Sequence, residues 1–311
     1  MRRLSRSAFD GASRFLKTQA RPLERALFEH HFEGAPAKAV IAELARFQNE
    51  DGGFGHALEP DLRTPSSSAL ATGIGLRILR EVRCAADSPM VQRAVRYVLG
   101  TFDDEAKVWR VVPNDTHDYP HAPWWHDERG SLTRTFDGFV IIPRAELVGS
   151  LHHYSGLVSA DWLEDLTEQT VSAVETIEPL GTGGGSDLVY ALRLAETVEV
   201  PQHFRDRLLA RIRTVVPNVV ARDPREWASY SILPLKVASS PRSIVADLIS
   251  DALQAHLDYQ IEHQSPEGTW DPVWTWAGAY PEAWTEAERE WRGRLTLDTL
   301  TALRAFGRME A

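Results

Sequence analysis

The chain has 311 residues, 43% hydrophobic and 25% charged, which is enough apolar material for one large soluble core. Its net charge of −10 is the wrong sign for a general nucleic-acid or anionic-membrane partner. Cys84 is the only cysteine, which excludes an intrachain disulfide and fits a reducing cytoplasm.

No apolar stretch reaches the length of a membrane span, and the basic opening Met1-Arg2-Arg3-Leu4-Ser5-Arg6 leads into Phe9-Asp10-Gly11-Ala12 rather than a signal-peptide core. A first helix is predicted over 6–19. Ala37, Val40, Ile41, Leu44 and Ala45 follow the i, i+3, i+4, i+7, i+8 template of an amphipathic helix, with Pro36 at its start. The next helix is expected over 65–82. Another follows Ser88-Pro89, with Val91, Ala94, Val95, Val98 and Leu99 on one face. Val108 to Val112 is the best strand candidate. Further helices are expected over 144–156, 161–177, 186–197, 202–215 and 294–307, and another after Ser240-Pro241, carrying Val245, Leu248, Ile249, Ala252 and Leu253. Segment 224–237 is a weaker helix, interrupted by Pro234. Two long stretches, about 100–143 and 264–293, lack periodicity and hold eight of the ten tryptophans. The reading is all-α, a single domain over 1–311, with ten to twelve helices joined mostly by short turns.

Two segments repeat. Gln48-Asn49-Glu50-Asp51-Gly52-Gly53-Phe54 and Gln264-Ser265-Pro266-Glu267-Gly268-Thr269-Trp270 both read Q-x3-G-x-aromatic, and each follows a predicted helix. Glycine permits a left-handed turn, the glutamine amide ties loose backbone groups at the helix end, and the ring packs under the turn. The stretch from Gly100 to Trp109 reads as a degenerate copy.

These segments resemble the QW repeats of squalene–hopene cyclases, oxidosqualene cyclases and related prenyltransferase-repeat proteins. The resemblance is carried by about 40–82 and 245–307 and is weak between them. The whole chain is similar to small bacterial proteins described as prenyltransferase/squalene-oxidase repeat proteins. The resemblance implies an α/α toroid of about six inner and six outer helices, with a cavity at its centre. Several hallmarks are missing. The acidic D-x-D-D-T-A motif of class II cyclases would fall on Pro65-Ser66-Ser67-Ser68-Ala69-Leu70. Asp103-Asp104-Glu105 lacks the D-D-x-x-D metal spacing, and Cys84 in Val82-Arg83-Cys84-Ala85 lacks the D-x-C of zinc prenyltransferases.

Candidate site residues come from three places. Glu59 and Asp61 precede Thr64-Pro65, read as a cap and first turn; they are dipole-stabilising charges or, on an inner helix, acids at the cavity mouth. Asp118-Tyr119-Pro120-His121-Ala122-Pro123-Trp124-Trp125 is the densest cluster. His121 can shuttle a proton, and Asp118, if buried beside the tryptophans, would have a raised pKa and serve as an acid. Tyr119, Trp124, Trp125, Trp274, Trp276 and Trp291 are candidates for an aromatic pocket lining, and Arg292 and Arg294 for contact with an anionic group such as diphosphate. Gly181-Thr182-Gly183-Gly184-Gly185-Ser186-Asp187 lacks the lysine of a phosphate loop and reads as a connection to a helix capped by Ser186 or Asp187. His30-His31 and His152-His153 lack a companion at metal-ligand spacing, and His256 reads as a satisfied core group, so no metal or other cofactor is expected.

The resulting expectation is a cytoplasmic, terpene-cyclase-like enzyme acting on an apolar isoprenoid-type ligand by acid/base chemistry without a metal. The alternatives are a lipid-, isoprenoid- or protein-binding module without catalysis, and an α/α-barrel carbohydrate-active enzyme using paired carboxylates.

Overall fold

The computed structural model describes residues 1–126, 141–178, 180–181 and 186–310. Parts of the predicted 100–143 loop and of the Gly181–Asp187 segment lie outside the described residues. The described chain is mostly helical, with one small hairpin of Phe102–Asp103 (β1) against Val108–Trp109 (β2). Its twelve α-helices are α1 (Arg6–Thr18), α2 (Pro22–Glu33), α3 (Ala37–Leu44), α4 (Ala69–Glu81), α5 (Pro89–Gly100), α6 (Arg144–His153), α7 (Ala160–Thr176), α8 (Ser186–Glu196), α9 (Gln202–Val219), α10 (Pro234–Val237), α11 (Ser250–Glu262) and α12 (Pro281–Ala305). No described helix is long and apolar enough to cross a membrane.

Local chemistry sets several of these ends. Ser5 caps α1 by accepting from Ala8 N, and Ser68 caps α4 by accepting from Ala71 N at 3.0 Å. Proline opens α2, α5, α10 and α12 at positions where its missing N–H costs nothing.

The residues group into two compact units. One holds 1–40 and 213–310; the other holds the described residues of 41–182 and 186–212. In the first, α1, α2 and α12 pack on one another, and α10 packs on α11. The chain ends are tied together here. Leu4 N donates to Arg308 O at 2.8 Å, Glu310 N donates to Leu4 O at 3.0 Å, and the buried Arg308 guanidinium pairs with Asp258.

In the second unit, α4 packs on α6 and α6 on α8, while α5 covers α4 and α7 covers α6. Gly73 of α4 faces Glu146 and Leu147 of α6, and Arg80, two turns further along α4, reaches Ser150, one turn further along α6. Glu146 meets Arg193 of α8, and Gly149 meets Leu194 and Thr197. These contacts run in the same direction along each pair, so α4, α6 and α8 are parallel and start at the same end.

The two glutamine turns are built alike, one in each unit. Gln48 Nε2 donates to Gly52 O (2.9 Å) and Met90 O (3.0 Å); Gln264 Nε2 donates to Gly268 O (2.9 Å) and Ala8 O (3.0 Å). Phe54 N and Trp270 N donate to Thr72 and Thr296 hydroxyls of the following helices α4 and α12. Gly52 and Gly268 sit at φ +93° and +88°. Met90 belongs to α5, the helix after α4. Ala8 belongs to α1, so the first helix of the chain stands where a helix after α12 would stand. The Gly100–Trp109 stretch has no glutamine turn. It keeps only the indole bond: Trp109 Nε1 donates to Val98 O (2.7 Å), as Trp270 Nε1 donates to Gln260 O (2.8 Å).

Several expectations need correction. The helix after the first turn begins at Ala69, not 65, because Thr64 and Ser66 turn their hydroxyls to Asp115 and Ser68 takes the cap. The helix expected after Ser240-Pro241 begins at Ser250, after a run of turns and a short 3-10 segment over Ala246–Ile249. Pro234 opens α10 rather than interrupting a helix. α12 begins at Pro281, so Trp284 and Trp291 are helical. α2, with Pro22 at its start and Gly34 at φ +75° after its end, has no counterpart among the predicted helices. The strand expected over Val108 to Val112 shrinks to two residues.

Candidate functional site

The loop before α4 lies at the shared starting end of α4, α6 and α8. The loop before α4 pairs with the proline-rich segment: Arg63 N donates to Pro120 O (3.0 Å), Ala122 N donates to Asp61 O (2.8 Å), and Leu62 faces His121 in an antiparallel bridge. The segment of Glu59 and Asp61 and that of Asp118 and His121, two separate candidates in sequence, thus fall in one loop cluster. The α4 loop is held tightly. A Cβ on Gly55 would stand 2.3 Å from the carbonyl oxygens of Pro65 and Ser66, and His56 and Ala57 both adopt left-handed φ (53° and 58°), which strains residues with a side chain. His56 Nε2 is fixed on Asn49 Oδ1 at 2.7 Å.

Beside this loop lies a buried polar layer. Glu146 Oε1 is 2.7 Å from Arg77 Nε and 2.9 Å from Arg193 Nη1, while its Oε2 is buried without a hydrogen-bond partner and faces Gly73. Tyr190 has its phenol pushed up, first by burial and then by the negative charges of Glu146 and Glu59. One turn earlier on α8, Asp187 is 4% exposed, and its Oδ1 has no hydrogen-bond partner. Burial pushes its carboxyl up to about 6. The positive end of the helix dipole acts in the opposite direction at this position, so desolvation wins.

The third component is a histidine trio. His117, His121 and His126 each place a ring nitrogen within 4.8 Å of the others. His121 is buried; its Nδ1 lies 2.8 Å from Tyr119 O and its Nε2 lies 3.2 Å from His126 Nδ1. Burial holds His121 below the usual imidazole range, opposed by the Tyr119 carbonyl and assisted by His126 and His117.

The sequence candidates meet different fates. Glu59 and Asp61 are buried. Asp118 ends a short 3-10 turn and is exposed, not buried beside the tryptophans. Trp125 is buried, Tyr119 half-buried, and Trp124 is 39% exposed. The remaining candidates lie in the other unit. Trp274 and Trp291 meet edge to face at 5.1 Å, and Trp276 is fully buried against Trp284. Arg292 pairs with Asp271 and Glu267, and Arg294 with Asp298. An open cleft of about 450 Å³ in that unit is lined by Glu282, Glu286, Glu288, Arg289, Arg292 and Phe15 among others, and no tryptophan lines it.

Paired histidines also find partners. His30 Nδ1 lies on Ala35 O, His152 Nε2 on Thr167 Oγ1, and His153 Nδ1 on Glu199. His256 is buried as expected, but its Nδ1 has no partner.

Sequence reasoning missed His117, His126, Glu146, Tyr190 and Asp187 as site residues. The histidine spacing 117, 121, 126 was a usable signal; the buried helix residues had none, because an acid in a helix's first turn reads as dipole electrostatics. Compared with known protein families, curated proteins and solved structures, the chain matches none.

Proposed function

We propose that the chain is an enzyme of α/α-toroid type that transfers a proton to an apolar, isoprenoid-type substrate, with Asp187 as the acid. The architecture is supported by two features. One is the alternation of covered helices α4, α6 and α8 with the covering helices α5 and α7. The other is the placing of α1 after α12 at the second glutamine turn. The count of about six inner and six outer helices is what the resemblance to the repeat cyclases implies.

The observation that carries the reading is the Asp187 carboxyl: buried, without a partner for Oδ1, and held near 6. Such a group is partly protonated near neutral pH and can donate a proton that an ordinary aspartate cannot. It stands in the first turn of a helix read as inner, the kind of place that holds the acid in the resembled cyclases. The proton passes from the Asp187 carboxyl to an alkene carbon. A proton then leaves a neighbouring carbon, so the net change is isomerisation or cyclisation. Glu59, Asp61 and Tyr190 border the same end of the helices and are candidates to accept that proton or orient the substrate. The ligand is small and apolar, and the setting is the cytoplasm.

The test is incubation of the full chain with squalene, farnesyl diphosphate and geranylgeranyl diphosphate, alongside native mass spectrometry of the protein as purified. Product from one substrate, lost in Asp187→Asn with the fold intact, is the expected result. Retained prenyl lipid without turnover would leave a binding module. No turnover and no lipid, with thermal shifts on sugars, would replace the reading with a carbohydrate-active one.

A further inference from the structure

We propose that His117, His121 and His126 form a binding site for one divalent zinc-type metal ion, with three imidazole ligands and an open fourth position. The inference stands apart from the isoprenoid reading, since it concerns only the geometry of the trio.

Three features support it. First, tetrahedral zinc with metal–nitrogen bonds of about 2.0–2.1 Å separates its ligand nitrogens by about 3.3 Å. The His121 Nε2 to His126 Nδ1 distance is 3.2 Å, already that edge. All three nitrogens lie within 4.8 Å of one another, so His117 needs a shift of about 1.5 Å to complete the face. Its side chain is exposed on a 3-10 turn, where a rotation supplies such a shift. Second, His121 Nδ1 lies 2.8 Å from the Tyr119 carbonyl, an acceptor that favours the tautomer with the proton on Nδ1, and the Thr116 carbonyl also bonds this ring. In that tautomer the lone pair is on Nε2, the atom 3.2 Å from His126 Nδ1. A backbone carbonyl that fixes the tautomer in this way is the usual outer partner of a metal-bound histidine. Third, the segment is anchored. Proline at 120 and 123 restricts it, and the bonds between 61–63 and 120–122 tie His121 to the α4 loop.

The donor set selects the ion. Three neutral imidazoles without a carboxylate favour zinc, cobalt, nickel or copper over magnesium or calcium, which take oxygen. Three protein ligands leave a position for water, the arrangement of catalytic rather than structural zinc. The competing account of the 3.2 Å contact is a simple hydrogen bond, with His126 Nδ1–H donating to His121 Nε2; that account requires no metal affinity.

The test uses the full, untagged chain after chelator treatment, titrated with Co²⁺ and followed by visible absorption, with Zn²⁺ as competitor. One Co²⁺ per chain, with the strong absorption of tetrahedral cobalt and displacement by Zn²⁺, is expected. His117→Ala and His126→Ala alter exposed residues and should leave the circular dichroism spectrum unchanged. Each should weaken binding by at least about 10–100-fold, the loss that even an outer-shell partner causes. No stoichiometric binding, or binding of equal strength in both variants, would overturn the site and leave the hydrogen-bond account. Asp187→Asn should bind Co²⁺ as the wild type does, so failure here is separable from failure of the acid reading.

Discussion

Replacing Asp187 by asparagine should stabilise the protein at alkaline pH and not at acid pH. The side chain keeps nearly its shape but can no longer ionise. The carboxyl moves from an ordinary value of 3.8 to about 6 in the fold. That is about two units, at about 1.4 kcal/mol each, so the ionised form costs the fold roughly 3 kcal/mol at pH 8. The sign follows from the raised value: the contribution is fully present below 3.8 and is lost as pH rises through about 6. An amide at the same place is also buried without a partner, which reduces the gain to roughly 1–3 kcal/mol. For a chain of this length that corresponds to a rise in Tm of about 2–6 °C. Thermal and urea denaturation of both proteins between pH 4 and 8 should give the smallest difference at pH 4, curves that part between about pH 4 and 6, and a constant gap above that. A constant difference across that range, or an asparagine variant weaker at every pH, would show that Asp187 is solvated and that the acid assignment is wrong.

Gly52→Ala and Gly268→Ala should each destabilise by more than about 2 kcal/mol, since both sit at positive φ. Their added Cβ would stand 2.5 Å from Arg93 O and from the Gly11 carbonyl carbon. Equal losses of urea midpoint in the two variants would bear out the equivalence of the turns; a loss in only one would break it. His256→Phe should protect against acid. Burial lowers this imidazole from 6.5 to about 3, so its stability is present above 6.5 and is lost as pH falls from 6.5 toward 3. The gain relative to wild type should reach roughly 3 kcal/mol at pH 4 and fade by pH 7. A pH-independent difference would mean the ring is hydrated.

What was legible in the sequence was whatever short-range chemistry dictates. Gln48, Gly52 and Phe54, and again Gln264, Gly268 and Trp270, specify a turn by residue type alone, and both turns form with matching bonds. The periodic faces of 37–44 and 89–100 also gave helices. Errors fell where two local signals compete. Thr64-Pro65 and Ser240-Pro241 both look like helix starts, yet Asp115 captures the Thr64 and Ser66 hydroxyls from 51 and 49 residues away. Along 281–293 the tryptophans obscure the helical period; Ala287, Glu290 and Gly293 are the residues that α12 buries there. The site was less legible than the fold. Backbone pairing of 61–63 with 120–122 joins acids and histidine that are about 60 residues apart, and no local pattern announces such pairing. Asp187 was hidden because solvation, not sequence position, decides whether a first-turn acid is a helix stabiliser or a strained carboxyl.

The distribution of unmet polar atoms gives the acid reading its physical basis. At the far ends of α4, α6 and α8 the polar groups are bonded. Arg80 reaches Ser150 and Thr197, Tyr154 donates to Cys84 O, and His153 pairs with Glu199. At their starting ends, Glu146 Oε2 and Asp187 Oδ1 are buried and unbonded, and His56 and Ala57 hold a strained backbone. A buried acceptor without a partner costs about 1–3 kcal/mol, and each strained residue costs a similar amount. A fold stabilised by only about 5–15 kcal/mol has little reason to concentrate such losses at one end of three parallel helices while satisfying the other. Groups left unsatisfied in the free protein are those that a substrate or a transferred proton can satisfy, which is why the proposed acid chemistry is placed at the starting end.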